Sequence, residues 1–239
     1  MTRVLHSEWT KLRTSPGTVA LLAAIVVGTV GVSAAAVACS GGPACGTDLP
    51  KLSLTGVQLG QAIVAVLAVL VMGNEYSTRM VTVTLAATPR RIRVLAAKAV
   101  VVTAVVAVAA TVAVAGSVVV GRLLLPAYDH TLRPAAGSIL YLLLIGLLSL
   151  GVVTAVRNPA AAIGVVLALL YAAPIITSVV SDQTWHKRLQ QIAPVSAGLA
   201  VQVTNGDAVI GPWKGLGVLA LWALGMLIAG AAVLHHRDA

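Results

Sequence analysis

Few side chains in this sequence could do chemistry. Seven carboxylates, five histidines and two cysteines are spread over 239 residues. Asp129-His130 is the one carboxylate–imidazole neighbour, and such a lone pair is more often a surface feature than a catalytic or metal site. Cys39 and Cys45 cannot by themselves fill the four positions of a zinc site. On an oxidising side of a membrane they would either close a small disulfide across Gly41-Gly42-Pro43 or stay as two free thiols. The sequence has no G-x-x-x-x-G-K-[ST] phosphate loop, no H-E-x-x-H and no run of paired carboxylates. The expectation is a chain that is not an enzyme, with no catalytic residue, metal or cofactor of its own.

The elements that would position these residues must be built in lipid. Hydrophobic residues make up 59% of the chain and charged ones 10%, with a mean hydropathy of +0.98. Soluble domains run at about 45–50% and about 25%. A water-soluble fold could not cover so much apolar surface, and disorder is excluded for the same reason. Six apolar runs are long enough to span a bilayer core of about 30 Å as helices. They are 17–39, 54–73, 95–120, 137–156, 159–180 and 215–234. The Val-rich runs are too long, and too apolar on every face, for barrel strands, which need about 10 alternating residues. The first run is also too long for a signal-peptide core of about 7–15 residues. The predicted fold is therefore all-α and polytopic, a single transmembrane domain over 1–239.

Net charge +9 points to topology, not to nucleic acid, because basic residues collect on the cytoplasmic side. With both termini inside, the inner segments hold Arg3, Lys11, Arg13, Arg79, Arg90, Arg91, Arg93, Lys98, Arg157 and Arg237. The outer ones hold Lys51, Arg122, Arg133, Lys187, Arg188 and Lys214. That imbalance favours a multi-pass membrane protein with both termini cytoplasmic.

Residues 1–15 put Val4, Leu5, Trp9 and Leu12 on one helical face and basic residues elsewhere, the pattern of a short interfacial helix. The 73–93 loop carries the densest basic cluster. Glu75 sits where the second span leaves the bilayer, against the positive-inside trend, which calls for a partner or a helix N-terminus. Asn74, Ser77 or Thr78 would cap a short helix ending at Pro89. Val81–Leu85 alternates like a strand, but an isolated strand has no partner, so a helix is favoured. Residues 181–214 read as one or two outer half-helices, with Trp185 and Trp213 at headgroup depth. Gly56-x-x-x-Gly60 either packs helices closely at a dimer interface or is a chance match in a chain with 22 glycines.

The spans lack the midplane Asp, Glu or His of ion-driven transporters and the polar filter of a channel. If the chain moves anything, another subunit must supply the work, and the Glu75–Arg93 loop is the largest surface it could push.

At four places the sequence resembles the permease of type-2 ABC exporters in its compact actinobacterial form. These are Leu5-His6-Ser7-Glu8-Trp9-Thr10-Lys11-Leu12-Arg13-Thr14; Gly73-Asn74-Glu75-Tyr76-Ser77-Thr78-Arg79 with Thr88-Pro89-Arg90-Arg91 and Lys98; Pro194-Val195-Ser196-Ala197-Gly198; and Arg237-Asp238-Ala239. The resemblance implies a dimer in the bacterial plasma membrane, with itself or a paralogous permease, and two separate cytosolic ATP-binding subunits that hold ATP and magnesium. It implies an elbow helix over 1–15 (Glu8, Trp9, Lys11, Arg13) and a coupling segment over 75–94 (Glu75, Tyr76, Ser77, Thr78, Arg79) docked on the ATPase. It implies re-entrant half-helices within 181–214. It also implies a substrate path on spans two and five, where Gln58, Gln61, Tyr171, Thr177 and Ser178 lie. Ser77 replaces the usual glycine, and Arg79 stands where a small or polar residue is common. Two other readings share the spans: a non-transporting assembly or regulatory membrane protein, and a membrane enzyme with an unfamiliar site.

Overall fold

The computed structural model describes residues 9–10, 14–39, 48–78, 91–125, 132–179, 182–204 and 210–236. Among these there is no strand. Six helices are long and apolar enough to cross a membrane, which is the architecture of an all-α polytopic membrane protein. In chain order the helices are α1 (Pro16–Cys39), α2 (Leu49–Ser53), α3 (Val57–Ser77), α4 (Arg91–Leu124), α5 (Leu132–Val156), α6 (Pro159–Leu167), α7 (Ala173–Val179), α8 (Gln183–Ile192), α9 (Pro194–Leu199) and α10 (Pro212–His236). Spans one to four are α1, α3, α4 and α5. The fifth is α6 and α7 joined by a π-turn over Ala168–Ala172, and the sixth is α10.

Each span forms because a bilayer leaves backbone N–H and C=O groups no partners except one another. What distinguishes the spans is the face they bury. In α1 only Ile25, Thr29, Ser33 and Val37 are buried, a single i, i+4 row, and the rest is half-buried or exposed. In α5 nearly every residue from Tyr141 to Thr154 is inside or half inside. Helix α5 packs against α10, α3 and α4, while α3 packs against α5, α1 and α6. The core therefore lies along α5 and α3, with the other spans around them.

Two spans outrun their apolar sequence. The second continues four residues past Gly73, so Asn74, Glu75 and Tyr76 belong to its last turns and Thr78 caps it. The Ser77 and Thr78 hydroxyls both donate to the Asn74 carbonyl, at 3.0 and 2.7 Å. They close α3, and the short helix expected to follow, up to Pro89, lies outside the described residues. The third span has 34 residues, about 51 Å at 1.5 Å rise, and takes in Arg91, Arg93, Lys98 and Arg122.

The Gly56-x-x-x-Gly60 spacing is used within the chain. A Cβ on Gly56 would overlap the Thr29 carbonyl oxygen and approach the Ser33 hydroxyl to 2.6 Å, and one on Gly60 would meet the Thr29 side chain. The Gly56 N–H donates to Ser33 Oγ at 3.1 Å. Small residues let the α1 and α3 backbones touch. The expectation of a dimer contact at this motif is corrected accordingly: its face is occupied by α1.

In span five Pro174 lacks an N–H and crowds the carbonyl four residues back, and the π-turn just before it absorbs the mismatch. At the other end of α6, Asn158 Oδ1 accepts from Ala161 N–H at 3.1 Å, with Pro159 following. The bundle end opposite the α1 start carries the half-helices. Asp182 caps the amphipathic α8, whose Trp185 is exposed, and Arg188 lies over the Trp185 ring. Helix α9 and the 3₁₀ turn Ala200–Gln202 sink into the bundle, with Val195, Ala197 and Val201 buried. Gln202 donates to Ser138 at 2.9 Å, Arg133 donates to the Val203 carbonyl at 2.6 Å, and Thr204 donates to the Asp48 carboxylate through both its N–H and its hydroxyl.

Candidate functional site

The polar side chains that matter gather at the basic end of the bundle. Glu75 follows Ala68 and Met72 at helical spacing on the buried face of α3. Lys98 lies on the buried face of α4 between Val94 and Val101. The two faces meet, and Lys98 Nζ donates to Glu75 Oε1 at 2.9 Å and toward the Val71 carbonyl at 3.5 Å. Lys98 is 1% and Glu75 7% exposed. Charges inside a membrane protein persist when paired, and they mark functional places more often than structural ones. The ammonium also complements the negative C-terminal end of α3. The partner that Glu75 called for is thus Lys98, 23 residues on. Sequence reading placed both residues at the membrane boundary without joining them. The available signal was their opposite charge at the same end of two consecutive spans.

Beside this pair, the Tyr76 hydroxyl is sealed from solvent with no hydrogen-bond partner among the described residues, and the Arg157 guanidinium is within electrostatic reach of it. Arg157 follows the last residue of α5 with φ 61°, the left-handed conformation that ends many helices and favours glycine. Its side chain explains why arginine stands there. It donates to the Val233 carbonyl at 2.8 Å, in the last turn of α10. Gly73 lets α3 lie against Pro159, whose Cβ would sit 2.6 Å from an added Cβ. One end of the bundle therefore joins α3 to α4 by a buried ion pair, α3 to the start of α6 by a close approach, and α5 to α10 by an arginine. The chemistry available here is mechanical: the groups hold helix ends together, and among the described residues no cluster of three or more His, Cys, Asp or Glu could hold a metal.

The other candidate residues are placed as follows. Ser77 and Thr78 are exposed, whereas Glu75 turns inward. Arg79 lies outside the described residues, as do Glu8, Lys11 and Arg13, and so do 79–90 of the 75–94 segment. Trp9 is helical and exposed. Gln58 is exposed, and its backbone carbonyl accepts from the Tyr171 hydroxyl at 2.6 Å, which ties span two to span five. Gln61 is enclosed between α3 and α5, where the buried Tyr141 hydroxyl donates to its Oε1. Thr177 is buried and donates to the Pro174 carbonyl at 2.7 Å, and its own carbonyl pairs with His186 Nδ1. The Ser178 side chain lies outside the described residues. Cys39 is exposed with a free thiol, and Cys45 lies outside the described residues.

Sequence reading missed Tyr141 and Arg157 because their partners are 80 and 76 residues away. Replacing Tyr141 by Phe leaves the buried Gln61 amide oxygen without its donor. The expected cost is about 1–3 kcal/mol, read as a lower unfolding midpoint in detergent, and Gln61→Leu in the same background should recover part of it. Compared with known proteins, the chain matches no family model and no curated protein.

Proposed function

We propose that this chain is the membrane-spanning permease subunit of an ATP-driven exporter of the type-2 ABC kind. It works as a dimer in the plasma membrane, with its basic end in the cytoplasm and separate ATP-binding subunits docked there. The observation that carries this reading is the buried Glu75–Lys98 pair. It fastens spans two and three at the end where residues 79–90 connect them, so a push on that connection would move both helices as one body. The exposed Ser77 and Thr78 and the N-terminal segment around Trp9 would meet the partner. Hydrolysis of ATP belongs to that partner. The spans offer cargo an almost wholly apolar surface, which suits an apolar or amphipathic molecule.

Tagged protein extracted in mild detergent is expected to bring down an ATP-binding protein in stoichiometric amount, with vanadate-sensitive ATPase activity. Preparations that stay free of any ATPase across several mild detergents would overturn the permease reading in favour of a non-transporting assembly or regulatory protein.

A further inference from the structure

The outward faces of α1 and α4 do not close on each other. A groove of about 550 Å³ runs between them, walled by the rows Thr18-Leu22-Val26 and Ala104-Val108-Val112, with Trp9 over one end. Both rows have i, i+4, i+8 spacing, so each follows one ridge of its helix for about 12 Å. The groove exists because alanines alternate with branched residues there: Ala23 and Ala104 are exposed and leave the space that larger side chains would fill. Apart from Thr18 and the Trp9 indole, the lining is hydrocarbon.

We infer that this groove holds one acyl chain of an anionic phospholipid from the leaflet on the basic side of the bundle. Depth, surroundings and charge point to that occupant. Twelve ångströms of groove with Trp9 at its mouth matches one leaflet, half of a hydrocarbon core of about 30 Å, with the indole where interfacial aromatics sit. Both helices are membrane spans, so the groove opens onto lipid tails and not onto water. The mouth is basic. Lys11 and Arg13 follow Trp9 by two and four residues, Arg3 precedes it, and Glu8 is the single carboxylate among the first fifteen residues. Arg93 is exposed at the same end of α4. Such clusters attract anionic headgroups. The inference stands on the membrane fold alone and is independent of the transport proposal.

The test leaves Trp9 as the only tryptophan, with Trp185, Trp213 and Trp222 replaced by Phe, in nanodiscs containing tail-brominated phosphatidylglycerol or phosphatidylcholine at equal mole fraction. Site occupancy judged from Trp9 quenching is expected to favour the phosphatidylglycerol by about fivefold and to fall to the phosphatidylcholine level in A23L/A104L, which fills the groove from exposed positions. Equal quenching by the two lipids, or quenching unchanged by the filling substitutions, overturns the inference. A peptide of another protein crosslinked in the groove overturns it as well. Should the Phe replacements prevent folding, native mass spectrometry of wild type and A23L/A104L decides the same point: the unfilled protein retains phosphatidylglycerol through delipidation and the filled one loses it, and equal retention sinks the idea.

Discussion

Lys98→Met is expected to lower the stability of the bundle by about 3–5 kcal/mol, the usual consequence of removing one member of a buried ion pair. The cost comes from the group left behind. Glu75 is 7% exposed on the inner face of α3, and without the ammonium 2.9 Å away its charge would have to be neutralised or dragged toward water. Glu75→Met in the wild-type background should be comparably damaging, because it takes the balancing carboxylate away from the buried Lys98 ammonium. The double variant Glu75→Met/Lys98→Met should recover most of the loss, since replacing a whole buried pair by apolar residues of similar volume is often close to neutral. Unfolding in a detergent-to-SDS titration, followed by far-UV circular dichroism, gives the comparison. Single variants that unfold at the wild-type midpoint would show that the pair contributes nothing. The same set separates folding from coupling. Under the permease proposal, a folded double variant that transports like wild type would mean the pair serves only to fasten spans two and three. A folded double variant without transport would mean the charges themselves are used.

Gly56→Ala is expected to cost about 3 kcal/mol, at the upper end of the range for overpacking a tight contact. The new methyl would overlap the Thr29 carbonyl oxygen, and Ser33 Oγ would be 2.6 Å away. The first of these is backbone within a helix and cannot rotate aside. The α1 and α3 axes would have to part, weakening the 3.1 Å bond from Gly56 N–H to Ser33 Oγ as well. Gly31→Ala is the matched control, because a Cβ there meets nothing within 4 Å. It should be neutral or slightly stabilising, by up to about 1 kcal/mol from helix propensity. Equal midpoints for the two variants, measured by the same titration, would mean that α1 is loosely held and that the close approach is not needed for the fold.

Both predictions rest on contacts that hydropathy does not report, and the contrast with what it does report has a physical cause. The number and approximate position of the spans were legible because they depend on one local property. A long enough apolar run in a solvent without hydrogen-bonding groups must satisfy its backbone internally, and a helix does this without reference to the rest of the chain. The short helices α8 and α9 were legible for a similar reason: Pro194 sits where a helix must restart, and the run before it has its own cap in Asp182. The ends of the spans were less legible. Apolarity stops at Gly73, but α3 runs on to Ser77 because Lys98 neutralises the charge that would otherwise have turned the chain out toward water.

Which face of each span points inward was decided only by the tertiary structure. A helix that is apolar all round carries no moment to orient it, so sequence could not say that Gln61 faces Tyr141, that Gly56 and Gly60 meet α1 and not a second copy, or that Glu75 looks inward to Lys98. Those choices are made by pairs separated by 23 to 156 residues, from Glu75–Lys98 to Asp48–Thr204. In lipid, where apolar surfaces gain little by meeting one another, it is small residues and buried polar partners that set how the helices turn.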